Sequence, residues 1–279
     1  MKTIGFVDYY ISEWHANNYP VWIEEICKEN NKDFCVKYAW AEKDISPVDG
    51  LSTAEWCEKF GIDKCETIDE LCQKSDYIII LAPSDPEKHL EYAKEVLKYG
   101  KYTYIDKTFT PDFAQAKEIF GLAEKYNTKI FSTSALRYAT ELDSLKGAKN
   151  ILTTGGGSNL AEYMVHQIEI AVKLADEKPV AVKLEKQGNQ CIMQVRFENE
   201  KNAAMIYSPV LSFSVCTDNN GEGAFKSIES DFFKALMKDI ICFFETGECS
   251  FDTAQTLDIM KIREALLSGE EKLGQWIEL

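Results

Sequence analysis

Few residues in this chain are both chemically active and set out in a pattern. Of its three histidines, His166 lies four residues after Glu162, a spacing that stacks the two side chains on one face of a helix. An imidazole titrates near neutral pH and so can take or give a proton, while a neighbouring carboxylate can orient the ring or hold a hydroxyl. Lys107 is the third candidate. It follows Tyr102-Thr103-Tyr104-Ile105 and Asp106, at the carboxyl end of an expected strand, where open parallel sheets place their ligands. Arg137 offers a cation for a substrate anion. Lysine, histidine and carboxylate together suit proton transfer at an oxygen. Glu162, His166 and Glu169 also share a helical face, which leaves open a metal-assisted isomerase or lyase, although amphipathic helices carry such polar faces routinely. The nine cysteines are scattered and form no CxxC pair, so they read as small core residues rather than as zinc ligands or a disulfide framework. His15 and His89 read as structural.

The elements that must hold these residues alternate strand and helix through the first half. Thr3 to Val7 is a strand, a helix begins near Tyr19-Pro20, and Phe34 to Trp40 is a second strand with Glu42 just beyond it. Ala54 to Phe60 is a helix stopped by Gly61, and Ile68 to Cys72 a short helical turn. Tyr77-Ile78-Ile79-Ile80-Leu81 has no polar face and predicts a strand buried on both sides, ended by Ala82-Pro83. A helix with Leu90, Ala93, Val96 and Leu97 follows and ends at Gly100. Thr110-Pro111 predicts a helix start with Thr110 as N-cap, and Lys129 to Ser132 another strand. This grammar predicts a doubly wound parallel sheet of the Rossmann type over residues 1–136. From residue 137 it changes. Gly155-Gly156-Gly157 precedes a helix over Asn159 to Leu174. Strands at Val180 to Leu184, Cys191 to Phe197, Ala203 to Tyr207 and Leu211 to Cys216 then follow without intervening helices, which predicts a mostly antiparallel sheet in a second α/β domain over 137–279. Helices over Ile228 to Glu245 and Thr253 to Leu267 and a last strand or tail at Trp276 to Leu279 complete it.

Composition narrows the function classes. The chain has 279 residues, 45% of them hydrophobic, enough for real cores. A formal net charge of -15 repels phosphate backbones, and no basic patch offsets it, so nucleic acid is not an expected partner. No apolar run reaches the ~18 residues of a membrane span. A soluble, cytoplasmic protein acting on a small molecule is the expectation.

The order of these motifs resembles the Gfo/Idh/MocA oxidoreductase family over nearly the whole chain. The resemblance rests on Ala82-Pro83 followed by His89 and on Gly100-Lys101 leading to Asp106-Lys107-Thr108, where the family has Glu-Lys-Pro. It continues through Arg137, through Gly155-Gly156-Gly157 to Glu162 and His166, and through Ile262-Arg263-Glu264-Ala265 with Ser268. It implies hydride transfer between a nicotinamide cofactor and a sugar, polyol or cyclitol hydroxyl. Lys107, Glu162 and His166 stand at the family's catalytic positions, with Glu162 replacing the usual aspartate. Lys107 would polarise the oxygen, His166 accept its proton, and Arg137 help hold the substrate. Cofactor contacts are expected from Asp8, Tyr9, Tyr10, Ile11, Glu42, Ala82, Pro83 and Asp106. Glu42 suits a ribose diol, and no arginine follows it to favour a 2′-phosphate, so NAD is expected over NADP. The resemblance also implies a homo-oligomer formed through the second domain's sheet.

Two departures stand beside it. Dinucleotide-binding turns carry GxGxxG so that the backbone can approach the pyrophosphate, and this chain has Asp8-Tyr9-Tyr10-Ile11-Ser12-Glu13. Side chains and two acids stand where a doubly negative group should sit. That favours an alternative, a cofactor-poor relative that keeps the fold and acts as a small-molecule sensor or scaffold. The stretch between Arg137 and the Glu162 helix is also short for the family.

Overall fold

Apolar runs become the buried central strands of the first sheet, and its β3 edge is polar and exposed. In the computed structural model, which describes residues 1–219 and 221–279, its strands are β1 (Lys2–Asp8), β2 (Phe34–Ala41), β3 (Asp63–Lys64), β4 (Tyr77–Ile80), β5 (Thr103–Ile105) and β6 (Ile130–Phe131). They pair in parallel in the order β3-β2-β1-β4-β5-β6. The order reverses between β1 and β4, and such a switch point opens a crevice at the strands' carboxyl ends. The helices α1 (Trp14–Asn30), α2 (Thr53–Phe60), α3 (Ile68–Lys74), α4 (His89–Val96) and α5 (Phe113–Lys125) make the crossovers. This is the expected doubly wound Rossmann-like sheet.

The rest of the chain supplies β7 (Asn150–Gly155), α6 (Leu160–Ala175), β8 (Pro179–Gln187), β9 (Gln190–Phe197), β10 (Asn202–Tyr207), β11 (Ser214–Asn219), β12 (Glu222–Ser227), α7 (Phe232–Thr246), α8 (Ala254–Ser268) and β13 (Trp276–Glu278), of which all but α7 build the second unit. Its seven-stranded sheet runs β12-β11-β7-β10-β9-β8-β13, antiparallel except for the β7–β10 pair. Alternation decides its faces. Met193, Val195, Ala203 and Met205 point into a core with Ile168, Ala171 and Val172 of α6 and Ile259, Ile262 and Leu266 of α8, while Leu152 and Ile192 stay exposed on the other face. Among the described residues no helix is long and apolar enough to cross a membrane.

The division into units departs from a single cut after residue 136. One compact unit comprises Met1–Thr133 with Leu236–Thr253, and the other Ser134–Ala235 with Ala254–Leu279. Aromatic packing explains the return. Phe244 of α7 stacks on Tyr77 at 4.7 Å, and Phe243 meets Phe131 at 4.8 Å and Tyr102 at 5.6 Å, so α7 covers a face of the first sheet.

Local details also differ. α1 starts at Trp14, not near Tyr19-Pro20, and carries Pro20 inside it. α5 is capped by Asp112, whose carboxylate accepts from Gln115 N, while Thr110 Oγ1 turns to the Asp112 carbonyl; Pro111 stays outside the helix. Two strands lie outside the expected set: β7, which alternates buried and exposed residues, and β12, which is exposed along most of its length and so has no apolar run to mark it. α7 begins at Phe232 rather than Ile228.

Candidate functional site

At the switch point β1 and β4 run in register from Ile4 beside Tyr77 to Val7 beside Ile80. Asp8 ends β1 there, and its Oδ1 accepts from Tyr9 N at 2.7 Å and from Ala82 N at 3.0 Å, tying the two strand ends together. Ala82 adopts φ 58°, a left-handed conformation costly for a residue with a Cβ, and the Asp8 bond helps hold it. Asp8 is 1% exposed and its Oδ2 has no hydrogen-bond partner. Burial, and then the charge of Glu13, push its carboxyl well above the usual carboxylate range.

Glu13 is the N-cap of α1. Its carboxylate accepts from His15 N at 2.7 Å and from Ala16 N, two of the amide groups that a helix start leaves without partners. Burial raises its pKa, against the pull of His15 and of those two amides. The turn before it is pinned from outside. Ser12 Oγ donates to Asp49 at 2.7 Å, Ser46 Oγ donates to the Ser12 carbonyl at 2.7 Å, and Ile11 is buried. Tyr9 and Tyr10 are half-buried, and the Lys43 and Lys88 ammonium groups lie 4.3 and 5.3 Å from the centre of the Tyr9 ring.

At the end of β5, Asp106 is fully buried. One oxygen pairs with His15 Nδ1, and the other accepts from Lys107 N at 2.8 Å and Tyr104 OH at 3.1 Å. Burial works to raise its pKa, but the His15 charge and hydrogen bond, with Lys107, bring it below the usual value. Asp106 therefore anchors α1 to β5. Lys107 is half-buried, its Nζ donates to the Pro83 carbonyl at 3.3 Å, and its peptide bond to Thr108 is cis. The buried His89 ring spans the carbonyls of Leu81 and Phe109 (2.8 Å to the latter), joining the loop that carries Pro83 to the one that carries Lys107. Both of these histidines are structural ties, as their sequence context suggested.

Glu42 stands beyond β2, where a ribose would be read, but it has partners of its own. Lys88 Nζ donates to it at 3.0 Å and Tyr92 OH at 2.8 Å. Burial opposes the trend, yet these two bonds and the lysine charge hold its carboxyl below the ordinary value. A cation beside Glu42 also removes the basis for preferring NAD over NADP, since Lys88 supplies the positive charge that the local sequence lacks.

In the second unit α6 carries two of the expected site residues. Its N-cap Asn159 accepts from Glu162 N at 2.8 Å and donates to the Glu162 carboxylate at 3.1 Å, so Glu162 takes part in capping. One turn on, half-buried His166 is held at Nδ1 by Ser134 Oγ at 2.7 Å, with the rings of Tyr163 and Phe213 edge-on to it. When Nδ1–H donates to Ser134, Nε2 is the basic nitrogen. Glu169 faces Arg137: its Oε1 pairs with Arg137 Nε, its Oε2 accepts from Ser134 N at 3.2 Å, and both charged groups are buried. That pairing takes Glu169 away from a metal site with Glu162 and His166. No group of three His, Cys, Asp or Glu side chains suited to a metal ion occurs among the described residues. The glycine run is a matter of space, because a Cβ on Gly156 would strike the Ser208 carbonyl.

A dinucleotide brings a doubly negative pyrophosphate to the start of the first helix. Here the Glu13 carboxylate already lies on those amides, beside a buried Asp8, so the first turn does not fit that group in this conformation. Sequence reasoning placed Glu13 in the turn but missed that it caps α1, because glutamate is not a favoured cap residue. It also missed Ser134, whose only signal is a serine after a strand and ahead of a helical turn.

Comparison with known proteins agrees with the fold. Residues 45–134, which include β4, β5 and Lys107, match the profile of an oxidoreductase family with an NAD-binding Rossmann fold. The uncharacterized oxidoreductase YhhX of Escherichia coli is 40% identical over 57 residues, covering 20% of this chain and 16% of its own length. UDP-N-acetylglucosamine 3-dehydrogenase GnnA from Acidithiobacillus ferrooxidans superposes with a TM-score of 0.79 at 12% identity, over 98% of this chain and 99% of that one. GenD2 from gentamicin A biosynthesis, solved in complex with NAD, gives 0.77 at 10% identity, over 100% of this chain and 97% of that one. At such identities these structures show the fold alone. The segment that carries Lys107 is thus similar to the Gfo/Idh/MocA oxidoreductase family, and the chain as a whole shares the fold of these solved structures.

Proposed function

We propose that this chain is an oxidoreductase that transfers hydride between a nicotinamide cofactor and a hydroxyl of a sugar, polyol or cyclitol, with Lys107, Glu162 and His166 as its acid–base residues. The observation that supports this is the placing of Lys107. It lies inside the matched segment, at the carboxyl end of a central parallel strand, with its backbone N–H fixed by Asp106 and its ammonium group on the Pro83 carbonyl. A cation so held polarises an oxygen, and an imidazole oriented by Ser134 accepts the proton that leaves it. Arg137, buried in its pair with Glu169, is proposed to act as a positioning residue, since Glu169 also holds the Ser134 backbone. The name of GnnA, a dehydrogenase of a nucleotide sugar, is in keeping with a carbohydrate-like substrate. The exposed face with Leu152 and Ile192 is where a second copy would pack, which light scattering tests.

A second reading, a sensor or scaffold without a dinucleotide, is favoured by Glu13 on the start of α1. Titration with NADH and NADPH, followed by nicotinamide fluorescence and by protein melting, separates the two. Saturable binding in the micromolar range, and turnover of a polyol or sugar lost in Lys107→Ala and His166→Ala, supports the oxidoreductase. No binding of either nucleotide by a cooperatively melting protein sinks it in favour of the sensor.

A further inference from the structure

We infer that Glu13 is a built-in occupant of the anion site at the start of α1, and that this one side chain closes the switch-point crevice to dinucleotides. The inference goes beyond the proposed reaction and, for the natural chain, favours the second reading, the sensor or scaffold without a dinucleotide.

Four observations carry it. The start of a 17-residue helix offers amide donors and the positive end of its dipole, which together attract an anion. The two amides that a phosphate would use, those of His15 and Ala16, both donate to Glu13. The carboxylate is 6% exposed and comes from the residue at the N-cap, so it competes as a tethered group that needs no association step. Finally, the turn cannot easily carry Glu13 elsewhere, because Ser12 is clamped by both Asp49 and Ser46. Asp8 adds to the exclusion. Its unpartnered Oδ2 is a second buried acid at the same turn, and it stands where a glycine would let the backbone come close to a pyrophosphate.

Glu13 therefore acts as a specificity determinant. With it in place the crevice discriminates against ligands that need the helix start for a diphosphate. Neutral hydroxylated ligands, which make no claim on those amides, escape the exclusion. Removing the charge lessens the repulsion of an incoming anion, and removing the side chain also releases the amides.

The test uses the full chain in four forms: wild type, Glu13→Gln, Glu13→Gly, and the double variant Asp8→Gly/Glu13→Gly. Each is titrated with NADH and with NADPH by fluorescence, and with inorganic pyrophosphate by calorimetry, after a melting curve establishes that it is folded. Glu13→Gln keeps a side-chain oxygen for the cap and removes only the charge, so it remains informative if the glycine variants fail to fold. The expected result is binding tighter than wild type by about tenfold or more in Glu13→Gln, and tighter again in the double variant, for NADH and pyrophosphate alike. Wild-type affinity that is micromolar and unchanged in all variants would overturn the inference while leaving the oxidoreductase reading intact. Failure of every folded variant to bind would overturn it as well, since something other than Glu13 would then close the crevice. A gain in the variants with no wild-type binding would uphold it and count against dinucleotide-dependent turnover by the natural chain.

Discussion

Arg137 and Glu169 form an ion pair with both side chains out of water, at 4% and 1% exposure, and removing one member tests how the second unit holds His166. In Glu169→Ala the guanidinium loses its carboxylate and Ser134 N loses its acceptor. Breaking a buried pair in this way costs ~3–5 kcal/mol, because the surviving charge keeps its desolvation penalty without its partner. For a body of this size each kcal/mol moves the melting point by about 2–4 °C, so the variant should melt roughly 6–20 °C below wild type. Calorimetry resolves whether the loss falls on one of two transitions, as separate units allow. The double variant Arg137→Met/Glu169→Leu should recover most of the loss, since apolar groups of similar volume leave no stranded charge. Ser134 also binds His166 Nδ1, so Glu169→Ala should broaden the His166 ring signals in an NMR spectrum. A cost below about 1 kcal/mol, the level of an exposed pair, would refute the reasoning.

Asp8→Asn should raise the melting point at pH 7. The folded-state pKa of Asp8 is raised by burial and by Glu13, so its stability is whole below the free-carboxylate value and is lost as pH rises through the folded value; the gain should vanish near pH 4. Glu141 has the opposite sign. Despite partial burial its carboxyl is held down to about 2 by Ser230 Oγ and the Glu229 and Ser230 amides, so it stabilises above the free value and loses that as pH falls toward 2. Glu141→Gln should therefore melt lower than wild type at pH 6 and together with it at pH 2. Ser134→Ala should cost ~1 kcal/mol through its lost cap to Leu136 N and change the pH dependence of any turnover that uses His166, whereas a purely structural serine would leave that profile unmoved.

The doubly wound half was legible because its strands are short apolar runs between helices, a pattern with one simple solution. Tyr77 to Ile80 could be buried only between two layers, and Lys107 had to emerge at the carboxyl end of the next strand. The start of α1 was not legible. Pro20 looks like a first helical residue, and the true cap is a glutamate whose role depends on a buried turn held by Ser46 and Asp49 from another loop. Thr110 against Asp112 was a contest between two good caps, decided by which one is extended with its oxygen on Gln115 N. Within the site, residue types announced Lys107 and His166. The partners that set their behaviour, the Pro83 carbonyl and Ser134, come from distant positions and reveal themselves only in space.

The return of α7 to the first unit bears on how the chain is made. Tyr77, Tyr102 and Phe131 are synthesised early, but the phenylalanines that cover them sit at 243 and 244, after most of the second sheet. On the ribosome the nucleotide-type sheet therefore emerges with one aromatic face bare, and it stays so until Phe243 and Phe244 have left the exit tunnel. A chain released after Ala235 should expose that face to chaperones and proteases, while one released after Thr253 should not. Maturation of the first half is thus timed by the second.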